Sequence, residues 1–255
     1  MKTDIILSGV GGQGILTIAF VLDNAALSRG LHFKQAEVHG MSQRGGAVYS
    51  YLRIADRPIF SDLVPEGQGD MILSVEPLEV QRYLNYLAPG GVVISNTAPH
   101  KNIPDYPDEG KVLSSLMELP RCVLVDAAAI AAAGRQPKAQ NMAMVGAATP
   151  FLPFDLADYE PFIRRLFGSK GEALVQGNLA VLRLGWNVGR TVQRLLEEGL
   201  PTRRVNSFLL RVTPETVDPE RASEVAGALQ GPGTEAFLAE ALGKVTLDEA
   251  LARCR

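Results

Sequence analysis

The chain predicts an α/β fold of Rossmann-like, doubly wound type: a mostly parallel sheet, helices on both faces, and a helical appendage at the C-terminal end. Three observations predict it. Short β-branched runs alternate with longer segments of helical period. Runs such as Val92-Val93-Ile94 are apolar without interruption, as strands covered on both faces require. The first strand also opens directly into a glycine-rich turn, Gly9-Val10-Gly11-Gly12-Gln13-Gly14, followed by an apolar helix. With 255 residues, 46% of them hydrophobic, the chain can bury a full core, which argues against disorder.

Residues 5–8 read as the first strand and 15–27 as the first helix; residues 32–36 and 47–54 read as the next two strands. Residues 71–75 form a further strand that runs into Glu76-Pro77-Leu78-Glu79. There Pro77 suits the first helical position and the two carboxylates suit the positive end of a helix. That helix is expected to run toward Leu87 and to be broken by Pro89-Gly90-Gly91 before a strand at 92–95, giving a βαβ unit. Pro99, Pro104 and Pro107 make residues 97–108 an irregular excursion at the sheet edge. Residues 123–125 are a strand, after which Asp126 sits at the strand end or caps the next helix. Asn141 reads as the N-cap of the apolar run Met142-Ala143-Met144-Val145, and residues 171–192 read as a helix. After Pro214 the chain becomes charged and Ala-rich, with Gly231-Pro232-Gly233 dividing two helices. The expected division is a Rossmann-like domain over 1–212 and an appendage over 213–255.

Twenty-five Lys and Arg against 28 Asp and Glu give a net charge of -3, which offers no bulk attraction to nucleic acid or an anionic membrane. Cys122 and Cys254 lie in no metal-ligand spacing, so no disulfide framework, metal site or iron–sulfur cluster is expected on this chain. The N-terminus passes straight into Ile5-Ile6-Leu7, and no run approaches the roughly 20 apolar residues that span a bilayer. A cytoplasmic protein is expected.

Gly9, Gly11 and Gly14 satisfy the G-x-G-x-x-G spacing between strand and helix. The first glycine permits the tight turn, the second admits a phosphate to the backbone, and the third lets helix and strand pack closely. Gly12 and Gln13 complete the loop, with Gln13 facing either the crevice or solvent. Glu37 follows at the distance of an acid that binds a ribose hydroxyl in dinucleotide enzymes. A second loop, Glu37-Val38-His39-Gly40-Met41-Ser42-Gln43-Arg44-Gly45-Gly46, packs hydrogen-bonding side chains between glycines just after a strand. It places His39, Ser42, Gln43 and Arg44 beside the first loop. Arg44 either pairs two-pronged with a phosphate or carboxylate, or pairs with Glu37 or a helix end. His32, His39 and His100 are the only histidines, and no nucleophile motif such as G-x-S-x-G is present, so no catalytic residue is assigned to this chain.

These two loops, then Glu76-Pro77-Leu78-Glu79, then Asn141-Met142-Ala143-Met144-Val145-Gly146, resemble in that order the gamma-type domain of 2-oxoacid:ferredoxin oxidoreductases. The resemblance covers residues 1–185 and is strongest to the indolepyruvate group, in which this domain is a separate chain. It implies oxidative decarboxylation of an aryl 2-oxoacid to an acyl-coenzyme A, with electrons passed to ferredoxin. It also implies that thiamine diphosphate, magnesium and iron–sulfur clusters sit on an alpha-type partner subunit, with coenzyme A as co-substrate. The two loops are then expected to help shape a substrate or coenzyme cavity, with Arg44 as the anion contact. The isolated chain is expected to be inactive and to self-associate through its partner surface. The other reading of the first loop is a stand-alone NAD(P)- or flavin-binding oxidoreductase.

Overall fold

The computed structural model describes residues 1–37, 45–240 and 243–255. Six strands form one sheet: β1 (Lys2–Val10), β2 (His32–Glu37), β3 (Ala47–Ala55), β4 (Gly69–Ser74), β5 (Leu87–Asn96) and β6 (Cys122–Val125). Their order is β2-β3-β1-β4-β5-β6. The pairs β1/β4, β4/β5 and β5/β6 are parallel, while β3 runs antiparallel to both neighbours. The sheet is therefore mostly parallel, as the apolar runs predict, but carries a β2–β3 hairpin on one side. A period of two tells which face a side chain takes and not which strand lies alongside, so the hairpin was invisible in the sequence.

Alternation splits the core in two. Ile5, Leu7, Met71, Leu73 and Ile94 face one layer of helices, α1 (Ile15–Ser28) among them. Ile6, Ile72 and Val93 face the other, against Val80 of α2 (Pro77–Gln81) and Leu116 of α3 (Glu109–Met117). The first layer continues with α4 (Ala127–Ala133), α5 (Gln140–Ala148), α6 (Leu156–Phe167) and α7 (Glu172–Glu197). Its two longest-contacting members, α5 and α7, meet backbone to backbone. A Cβ on Gly185 would stand 2.2 Å from the Ala143 carbonyl oxygen, one on Gly189 2.2 Å from that of Ala147, and one on Gly146 2.0 Å from that of Leu182.

Two expectations need correction. The helix begun at Pro77 ends at Gln81; a 3-10 turn at Leu84–Tyr86 follows, and Pro89, Gly90 and Gly91 lie inside β5 rather than before it. The register shifts between Gly69 and Met71 opposite this stretch, and such an irregularity is where a strand tolerates a residue lacking an N–H. Asn141 is the second residue of α5 and not its cap; the N-cap position belongs to Ala139, and the Asn141 amide is used elsewhere.

The last helices, α8 (Thr202–Leu209), α9 (Ala222–Leu229), α10 (Thr234–Ala239) and α11 (Leu247–Cys254), pack as a further layer. Val225, Phe237 and Leu251 belong to the same apolar cluster as Val192 and Leu195 of α7. Lys244 reaches back to Asp126 at 3.1 Å, which leaves Asp126 capping α4 through the Ala129 amide, the second of the two roles open to it. On α8, the Asn206 side chain does what a seventh strand would do: its Oδ1 accepts from the Leu124 amide at 2.8 Å and its Nδ2 donates to the Cys122 carbonyl at 2.9 Å. No helix of the described residues is long and apolar enough to cross a membrane.

Candidate functional site

The chain leaves β1 into α1 on one face of the sheet and leaves β4 into α2 on the other. Adjacent parallel strands whose connections diverge open a crevice at their carboxyl ends, the place where α/β sheets bind ligands. The glycine loop stands at that point between β1 and β4.

Gly9 closes β1 against β4: a Cβ there would lie 2.3 Å from Cγ2 of Val75, so the close approach requires glycine. Gly14 caps α1 with φ +79°, a backbone region that suits glycine, and its carbonyl accepts from Nδ2 of Asn141 at 3.1 Å. Gln13 turns inward and braces the loop. Its Oε1 accepts from the Val10 amide at 2.7 Å and its Nε2 donates to the Val75 carbonyl at 3.4 Å. The Gly11 amide is engaged as well, donating to the Gly46 carbonyl at 2.8 Å, which removes it from the phosphate-facing role expected of the second glycine. Among the described residues, the amides of Gly12, Gly14 and Ile15 remain without a partner. They lie at the positive end of a 14-residue helix.

These residues border a cavity of about 280 Å³ lined by Gly12, Gln13, Gly14, Val75, Asn96, Lys138, Gln140, Asn141 and Met144. Asn96, 4% exposed, ends β5 and is locked by its own bonds to the Val75 carbonyl and the Ala127 amide. Lys138 is exposed and makes no ion pair among the described residues. Helix dipole, free amides and a lysine converge on one opening, and that combination selects an anion. Sequence reading found the glycines and Gln13 but missed Lys138 and Gln140. The polar run Gln136-Pro137-Lys138 carries no spacing that announces a site, and it arrives only because Asn141 ties α5 to Gly14.

Beside the cavity, Glu76 is 1% exposed and its carboxylate accepts from the Glu79 amide, the His100 amide and the Tyr106 hydroxyl. These bonds pin the proline-rich excursion over the end of β4. Glu79 is also buried, and loss of hydration raises its carboxyl, against the lowering pull of Arg82 at 3.1 Å.

Of the second loop, His39, Ser42, Gln43 and Arg44 lie outside the described residues. Its flank does touch the first loop: the Gly45 amide donates to the Gly11 carbonyl, and Asn102 donates to the Gly45 carbonyl at 2.9 Å. Glu37 does not stand where a ribose-binding acid would. It ends β2, and β3 separates that strand from β1, putting the acid roughly 10 Å from β1, two strand spacings of about 4.8 Å, where the expected acid ends the strand next to β1. Glu37 instead accepts from Gln35 and acts on Asp23 of α1, whose carboxyl is pushed up to about 7 by burial and then by the Glu37 charge.

The pyruvate ferredoxin/flavodoxin oxidoreductase family model matches residues 4–188. The chain belongs to that family. Among its relatives, the indolepyruvate oxidoreductase subunit IorB of Archaeoglobus fulgidus is 36% identical over 198 residues, covering 73% of this chain and 95% of that one. The subunit of the same name from Methanothermobacter thermautotrophicus is 32% identical over 199 residues, covering 73% and 97%. In three dimensions the chain resembles pyruvate oxidoreductase subunit PORC of Thermotoga maritima, with a TM-score of 0.56, 21% identity, and coverage of 73% and 96%. It also resembles a 2-oxoglutarate:ferredoxin oxidoreductase from Magnetococcus marinus, with a TM-score of 0.60, 17% identity, and coverage of 74% of this chain and 31% of that one. These structural likenesses establish the fold, while the sequence relatives establish an oxoacid oxidoreductase subunit. The displaced Glu37 does not supply the ribose contact that the dinucleotide reading of the glycine loop expects.

Proposed function

We propose that this chain is the subunit without thiamine or clusters of an indolepyruvate-type ferredoxin oxidoreductase, and that its glycine-loop cavity holds an anionic group of coenzyme A or the oxoacid. The reading of substrate rests on the IorB relatives, one of them matched over 95% of its length. The reading of role rests on the cavity itself, where three unpartnered amides and Lys138 meet. No group of three or more His, Cys, Asp or Glu among the described residues is arranged to hold a metal ion, and Cys122 and Cys254 are both buried and far apart in sequence. The family and its IorB relatives support assigning thiamine diphosphate, magnesium and the clusters to an alpha-type partner, through which electrons reach ferredoxin in a cytoplasmic complex. Bound there, thiamine supplies the carbanion chemistry and the clusters the electron outlet. This chain's part is to bind and orient an anionic end.

An exposed apolar side chain supports a partner face at the cavity: Leu16, on the first turn of α1, is 59% exposed. The test is co-purification of the tagged chain with a thiamine- and cluster-containing subunit and indolepyruvate-dependent dye reduction that requires coenzyme A. In that complex Lys138→Ala should raise the KM for coenzyme A or oxoacid about tenfold with little change in kcat, the loss of one charge contact. A wild-type KM for both, or full activity of the isolated chain, overturns the reading.

A further inference from the structure

A second and larger cavity, about 410 Å³, opens at the opposite end of the sheet, between the start of β6 and the end of α7. Its apolar lining comes from Pro120, Phe151, Leu196 and Leu200. Two charges of opposite sign border it, Arg121 and Glu197. Arg121 is aimed by its own contacts: Nη1 donates to the Gly90 carbonyl at 2.6 Å, and the guanidinium lies 6.0 Å from the centre of the Phe151 ring. Among the described residues neither charge has an ion-pair partner, and the two do not approach each other within the 4 Å of a salt bridge. Glu197 is the last residue of a 26-residue helix, so the partial negative charge of the α7 carbonyl end adds to its carboxylate.

A carboxylate suits Arg121, whose free N–H groups form a flat fork. An ammonium suits Glu197 and the helix end. An apolar side chain suits Pro120, Phe151, Leu196 and Leu200, which share the cavity with both charges. We infer that this cavity binds an α-amino acid with an apolar side chain, carboxylate toward Arg121 and ammonium toward Glu197. The site is separate from the glycine loop, and nothing in the oxoacid chemistry requires it. It lies within residues this chain itself supplies, so the full chain serves for the test.

Calorimetric titration of the full chain with L-phenylalanine and L-leucine should give saturable one-to-one binding. Phenethylamine, which lacks the carboxylate, and 3-phenylpropanoate, which lacks the ammonium, should each bind at least about tenfold more weakly, the loss of one charge-assisted contact. Arg121→Gln and Glu197→Gln should each weaken phenylalanine by a similar factor. Both side chains are exposed, so both variants should fold, as circular dichroism checks. Lys138→Ala, at the other cavity, should bind phenylalanine as the wild type does. Absence of saturation up to about 10 mM, a weakness beyond any small-ligand site of this kind, overturns the inference. So does equal binding of the three phenyl compounds, or unchanged binding in both glutamine variants.

Discussion

Replacing Asn206 by alanine tests whether a single side chain finishes the sheet. Asn206 is 1% exposed, and its amide pairs with the Leu124 N–H, the Cys122 carbonyl and the Thr202 carbonyl at 2.8, 2.9 and 2.9 Å. Alanine leaves the Leu124 donor and the Cys122 acceptor buried with nothing to bond. An unsatisfied buried backbone group costs about 1–3 kcal/mol, so the two together cost about 2–6 kcal/mol. The Thr202 carbonyl, already an acceptor in α8, adds little. For a chain of this size about 1 kcal/mol moves Tm by roughly 2–4 °C, so the expected drop is on the order of 10 °C. Urea unfolding gives the energy, and hydrogen exchange at the Leu124 amide gives the cause. Asn206→Asp separates the two bonds, because it keeps an acceptor for Leu124 but sets oxygen against the Cys122 oxygen and introduces a charge at a dry position. A loss below about 1 kcal/mol in Asn206→Ala, with Leu124 still protected, would refute the strand-mimic argument.

Gly185→Ala should destabilise by about 1–3 kcal/mol or more, since a Cβ 2.2 Å from the Ala143 carbonyl oxygen forces two helices apart; thermal unfolding measures it. Asp23→Asn bears on pH. With its carboxyl raised from 3.8 to about 7 in the folded protein, Asp23 holds a proton that the unfolded chain has released. Its contribution is complete below about pH 4 and fades as pH rises toward 7, flattening above. Asparagine should abolish that decline and make the variant the more stable of the two at pH 8, as denaturant titrations across pH show. A wild-type curve that is flat from pH 4 to 7 contradicts it.

The fold was legible wherever residue type and period coincide. All six strand positions follow from β-branched runs, and α1 from the glycine turn before an apolar stretch, because both signals are local. The β2–β3 hairpin was not, since pairing is a choice among partners that the pattern leaves open. Pro89-Gly90-Gly91 misled for a related reason: a breaker in isolation becomes part of a strand when the facing register shifts to receive it. At the site, Gly9, Gly14 and Gln13 could be named from the sequence, but Gln13 proved a brace rather than a ligand contact. Asn141 looked like a cap because asparagine before an apolar run usually is one, and only the fold reveals Gly14, 127 residues away, as its partner. Lys138 and Asn206 carry no local signal at all.

The glycine crossing of α5 and α7 joins the two helices that line the two cavities. Gln140, Asn141 and Met144 of α5 line the one, and Leu196 and Glu197 of α7 line the other. Where backbones touch directly, no rotamer stands between them to absorb a shift. A helix of 26 residues extends about 39 Å at 1.5 Å per residue, long enough to act as a lever along the whole sheet. The anion seat, tied to α5 through Asn141, thus rests on a helix that meets α7 with no layer of side chains between them.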